Sequence, residues 1–106
     1  MRLLQIEWLS ASKEEAESVV EKLLVQKLIA CANISTVESR YIWQGRLERC
    51  SEVKVVMKTL EKHFETISQE IQRLGSYEVP CILGTYVDRA HIEYFDWVKK
   101  TVSCLL

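Results

Sequence analysis

Two stretches of 13 residues, 31–43 and 47–59, are separated only by Gln44-Gly45 and a single arginine. Glycine tolerates the positive φ that a tight hairpin turn requires, so the two stretches read as the arms of one β-ribbon. The return arm is regular: Leu47, Val53, Val55 and Met57 alternate with Glu48, Glu52, Lys54 and Lys58. In the outgoing arm Ile34 falls on the even positions, whereas Val37, Tyr41 and Trp43 fall on the odd ones. This change of parity predicts a bulge or bend near Ser35 to Val37. Extended at about 3.4 Å per residue, each arm spans about 44 Å. A compact chain of 106 residues has a diameter of roughly 33 Å. The ribbon is therefore expected to overhang its own domain, with Tyr41, Ile42, Trp43 and Leu47 at its tip. An isolated two-stranded ribbon is marginal in water. Burial of Tyr41, Trp43 and Leu47 against other subunits resolves both difficulties, so we expect an oligomer with these residues in its interface.

The remaining elements frame this ribbon. Leu4, Ile6 and Trp8 alternate with Gln5 and Glu7, as in a half-buried strand. Ser12 and Glu15 have capping-box spacing. Behind them Ala16, Val19, Val20, Leu23, Leu24 and Leu28 predict an amphipathic helix of four to five turns. A second helix, opened by His63, carries Phe64, Ile67, Ile71 and Leu74, with Gly75 as the expected left-handed terminator. Pro80 precedes a strand from Cys81 to Val87. Asp88 is the expected cap of a last helix holding Ile92, Tyr94, Phe95, Trp97 and Val98. The order β-α-β-β-α-β plus a terminal helix is the ferredoxin-like, α+β pattern, here a single domain over residues 1–106.

Composition excludes several classes. Fourteen basic and 15 acidic side chains give a net charge of −1, without the cationic excess that phosphate binding needs. No nucleic-acid partner is expected, and the third strand lacks the stacking aromatics of an RNA-recognition module. The amino terminus has Glu7 within its apolar stretch and no small-residue cleavage site, so no leader or membrane segment is expected. Cys31, Cys50, Cys81 and Cys104 contain no C-x-x-C pair. They read as free thiols of a cytoplasmic protein, Cys31 and Cys81 as small buried hydrophobes, and Cys50 and Cys104 without functional assignment. A ferredoxin-like copper chaperone would carry C-x-x-C after its first strand, where this chain has Ser10-Ala11-Ser12. His63 and His91 read as solvated surface residues.

Lys27-Leu28-Ile29-Ala30-Cys31-Ala32-Asn33-Ile34, Tyr41-Ile42-Trp43-Gln44-Gly45-Arg46-Leu47-Glu48, Val53 to Thr59, Ser76-Tyr77-Glu78-Val79-Pro80 and Tyr94-Phe95-Asp96-Trp97 occur in the order and spacing of the CutA divalent-ion tolerance family, which the chain resembles over residues 3–102. The resemblance implies a homotrimer with hairpins embracing neighbouring subunits. It also implies a role in divalent-metal tolerance, copper binding in some members, and no established catalysis. Many members carry histidines just before the Ser-Tyr or Pro-Tyr step and some a cysteine in the first strand. Here Leu74-Gly75 and Trp8 stand at those positions, and Cys81 replaces a usual acidic residue after Pro80. The metal ligands are thus unassigned, no cofactor is required, and any copper or other divalent metal is expected to be held weakly. Cys31, Trp43, Lys58, Tyr77 and Glu78 are the candidate lining of an intersubunit cleft, which in a second reading binds an anionic small molecule near Lys58. The plain alternative is an intersubunit Lys58–Glu78 ion pair with Tyr77 merely packed.

Overall fold

The computed structural model describes residues 1–102. Its elements are β1 (Leu3–Ser10), α1 (Lys13–Val25), β2 (Cys31–Trp43), β3 (Arg46–Leu60), a 3-10 turn (Glu61–His63), α2 (Phe64–Leu74), β4 (Ile82–Tyr86) and α3 (Ile92–Val102). The four strands form one antiparallel sheet in the order β2-β3-β1-β4. This is the ferredoxin-like arrangement expected from the element order.

One face of the sheet is covered. Leu4, Ile6 and Trp8 of β1 and Val53, Val55 and Met57 of β3 share a core with Ala16, Val19, Val20 and Leu23 of α1 and Ile67 and Ile71 of α2. Each of the branched aliphatic side chains and Met57 contributes about 1.5–3 kcal/mol on leaving water. Ser12 caps α1, its Oγ accepting from the Glu15 N–H at 3.1 Å. Glu15 closes the box further back than expected, on the Ala11 N–H at 3.1 Å and the Ser10 hydroxyl. Helix α1 is shorter than the periodicity suggests. Lys27 takes φ 59°, and the Leu28 and Lys27 N–H groups return to Leu23 and Leu24, which is a Schellman ending. Leu28 is buried beyond the helix, and Leu24 is exposed.

A second cluster sits beside the 3-10 turn, where α3 brings Val98 and Val102 onto Leu3, Ala30 and Leu60. His63 is buried there with Nε2 3.0 Å from the Val102 carbonyl. This corrects its expected exposure: it faces the docked helix, which the local sequence does not reveal. His91 is exposed as expected. Asp88 does not cap α3, which starts four residues later; it pairs with Arg2 at 3.3 Å. Gly75 is not left-handed either (φ −82°, ψ 165°). It is required because a Cβ there would lie 2.9 Å from the Ile71 carbonyl oxygen.

The ribbon turns through Gln44 and Gly45 at φ 51° and 79°, the two positive values of a type I′ turn. Pairing runs without interruption from Cys31↔Lys58 to Trp43↔Arg46, so the expected bulge near Ser35 to Val37 is absent. Parity changes because β2 is mostly exposed beyond Ala32, which meets the core, so that among the described residues no layer selects a face for the rest of the strand. The molecule measures 44 × 26 × 20 Å, and its long dimension matches the length of an extended arm. At the tip Ile42 is 68% and Leu47 59% exposed.

Candidate functional site

The segment between α2 and β4 crosses to the ribbon and is pinned at three points. The Ser76 N–H donates to Glu15 Oε1 at 2.8 Å. The Tyr77 hydroxyl donates to Glu52 Oε2 at 2.8 Å. The Cys81 carbonyl accepts from the Leu9 N–H at 3.4 Å. Partial burial opposes the charge on Glu15, but hydrogen bonds from Ser10, Ser76 and Ala11 outweigh it and hold its carboxyl below the usual 4.5. One carboxylate thus joins the start of α1 to the segment that carries Tyr77.

Between that segment and the ribbon lies a groove of about 770 Å³ whose lining includes Tyr41, Trp43, Glu52, Tyr77, Glu78 and Cys81. Burial, reinforced by the bond to Glu52, pushes the Tyr77 phenol well above its usual 10.0. Tyr77 therefore remains a donor throughout the ordinary pH range. Tyr41, hydrogen-bonded to Cys50 Sγ at 3.6 Å, is pushed up to about 12, first by that bond and then by burial. Burial raises the Cys81 thiol above 9.0, helped by Glu7 and Glu52. Cys81 accordingly stays protonated at neutral pH, whereas a metal or an electrophile needs the thiolate.

Three of the five cleft residues expected from sequence, Trp43, Tyr77 and Glu78, line this groove. Cys31 and Lys58 do not. They face each other at the opposite end of the ribbon, in the first pair of its register. Lys58 Nζ donates to Asn33 Oδ1 at 2.8 Å, and Cys31 Sγ lies 3.4 Å from the Tyr94 hydroxyl. Burial and Cys31 together push Tyr94 up to about 12. No Lys58–Glu78 ion pair forms within the chain, where the two residues belong to different ends of the ribbon. Cys31 and Cys81 are half-buried free thiols, as is Cys50, while Cys104 lies outside the described residues.

Glu52 is the residue that sequence reasoning missed. In β3 it has the parity of Lys54 and Lys58 and reads as a solvated position, yet it is only 5% exposed. The Tyr77 segment covers it from 25 positions away. The one local signal is its place opposite Val37 just where the ribbon joins the body.

The donor set does not form a copper or zinc centre. Among the described residues no three His, Cys, Asp or Glu side chains converge. Trp8 is 1% exposed, and its Cζ2 would lie 3.8 Å from a Cβ at Gly75. The two positions where the family pattern places a cysteine and histidines are therefore filled by an indole ring packed beside a glycine. Such an environment offers neither thiolate nor imidazole.

The model of the CutA1 divalent ion tolerance protein family matches residues 6–101. A divalent-cation tolerance protein CutA of Archaeoglobus fulgidus is 36% identical over 92 residues, covering 87% of this chain and 90% of that protein. Its counterpart from Pyrococcus horikoshii is 39% identical over 85 residues, covering 80% and 83%. The structure of the Archaeoglobus protein, described as periplasmic, superposes with a TM-score of 0.93 at 34% identity over 94% of this chain and 98% of that one. Rice CutA1 shares the fold at a TM-score of 0.93 and 22% identity, covering 96% and 94%. No helix among the described residues is long and apolar enough to cross a membrane. With its ferredoxin-like sheet, its long ribbon and the match over nearly its whole length, the chain belongs to the CutA1 divalent ion tolerance family.

Proposed function

We propose that this protein is a non-catalytic homotrimer serving tolerance of, or response to, divalent metal ions in the cytoplasm. The observation that carries the trimer is the ribbon tip. Tyr41, Ile42, Trp43 and Leu47 are 39%, 68%, 41% and 59% exposed in the single chain, a patch that water disfavours and a second subunit would cover. In this assembly Tyr41, Trp43 and Leu47 lie in the interface, and the groove beside Trp43, Tyr77 and Glu78 opens at a seam between subunits. Membership of the family supports the metal-tolerance role. Free Cys31, Cys50 and Cys81 suit a reducing compartment.

Copper binding is weak in this reading, because Trp8 and Gly75 replace the ligands and Cys81 is held as a thiol. The test is a copper titration of the wild type beside Cys31→Ser and Cys81→Ser. Divalent copper should bind more weakly than micromolar, and any monovalent copper binding should fall with loss of a cysteine. Nanomolar divalent copper binding that survives both substitutions contradicts this reading.

One observation favours the second reading, a trimeric sensor of a small anion. Lys58 is half-buried and hydrogen-bonded to a neutral amide, and no carboxylate among the described residues forms an ion pair with it. Submicromolar binding of an anionic metabolite, lost in Lys58→Met and unaccompanied by metal binding, would establish it over the first.

A further inference from the structure

The carboxylate of Glu52 is in an unusual position for a surface ribbon. It is almost wholly withdrawn from solvent and still lines the groove. Its Oε2 accepts from Tyr77; Oε1 has no donor among the described residues. No lysine, arginine or histidine among them forms an ion pair with it. A carboxylate withdrawn from water is costly to leave without a countercharge. The rest of the lining does not supply one. Glu38 and Glu78 add two further carboxylates against the single guanidinium of Arg40, which lies 3.7 Å from Glu38. The groove walls beside Glu52 include Tyr77, bonded to it, and Tyr41, whose hydroxyl reaches Cys50 two residues away, and aromatic rings attract cations.

We infer that this groove is a binding site for a small organic cation, with a guanidinium or ammonium head seated on Glu52 between the aromatic side chains. An inorganic divalent ion fits less well. Calcium or magnesium requires about six oxygen ligands, and no group of three candidate ligands converges here among the described residues. A guanidinium is weakly hydrated, planar and able to donate to one carboxylate while lying against a ring.

Agmatine, which carries one guanidinium and one ammonium group, is a suitable probe. In calorimetric titrations of the assembled wild-type protein at low salt it should bind saturably with a submillimolar Kd. Neither an excess of magnesium nor glutarate should displace it. Glu52→Gln should weaken binding at least about tenfold, the scale of one charge-assisted hydrogen bond. Tyr77→Phe, which removes the donor already on Glu52, should leave the affinity for agmatine unchanged or higher. A purely structural Glu52–Tyr77 pair would instead lose binding in both variants. If Glu52→Gln does not fold, Tyr77→Phe and the salt dependence of the wild type still decide the question. No saturable binding by the wild type up to about 10 mM, the range of negligible affinity, overturns the inference. So does failure to bind agmatine combined with a change in assembly mass in Glu52→Gln, which would mean that another copy of the chain supplies the countercharge.

Discussion

Strand β3 passes through two environments. From Val53 to Leu60 it lies in the body, where Val55, Met57 and Leu60 have no exposure at all. From Arg46 to Ser51 it lies in the ribbon, where no residue is fully buried. Hydrogen bonding to β2 is the same in both halves, and the register is continuous. The difference is the covering layer: α1 and α2 pack over the body, while nothing among the described residues packs over the tip. Backbone pairing alone therefore builds the ribbon's length, and side-chain burial stabilises only the half that has a layer to meet. In the proposed trimer, other subunits supply the missing layer.

The largest expected effect falls on the body. Trp8→Ala removes a fully enclosed indole and should lower the chain's stability by about 3–5 kcal/mol, measured by urea unfolding. Trp43→Ala makes the contrasting case. It should leave the circular-dichroism spectrum unchanged and weaken assembly by about 2–4 kcal/mol, seen as dissociation at a higher protein concentration on dilution. A loss of secondary structure at high protein concentration would show that the tip stabilises the chain itself. Gly45→Ala places a side chain at φ 79° and should cost about 1 kcal/mol, visible as a lower thermal midpoint that still depends on concentration.

The smallest effect sharpens the junction between the two regions. Glu15 titrates below its usual value in the folded chain. Its contribution is therefore present above 4.5 and lost as pH falls through the lower folded value. Glu15→Gln should destabilise by about 0.5–1 kcal/mol at about pH 7, with the difference closing as pH falls through the lowered folded value. A gap that stays constant with pH would show that the charge of Glu15 plays no part.

The sequence was legible wherever local chemistry decided the structure. The Ser12 cap, the Gln44-Gly45 turn and the alternation in β1 and β3 each depend on residues close in the chain, and together they dictate the fold. It was misleading where a distant element intervened. His63 looks like a surface residue until α3 brings Val102 onto it, and Asp88 looks like a cap until Arg2 claims it. The site divides along the same line. Trp43, Tyr77 and Glu78 do share a groove, but Cys31 and Lys58 lie at the other end of the ribbon, because shared family segments say nothing about separation within one chain. Glu52 escaped because alternation marks it as solvated, and only a segment 25 residues away buries it.

In the proposed assembly other copies of the chain cover the ribbon tip, and sedimentation equilibrium at micromolar concentration reads this from the mass of the particle. A trimer predicts a particle of about 37 kDa, three chains of 12.4 kDa, shifting towards smaller species in Trp43→Ala. A folded wild-type particle of 12.4 kDa under the same conditions would contradict it.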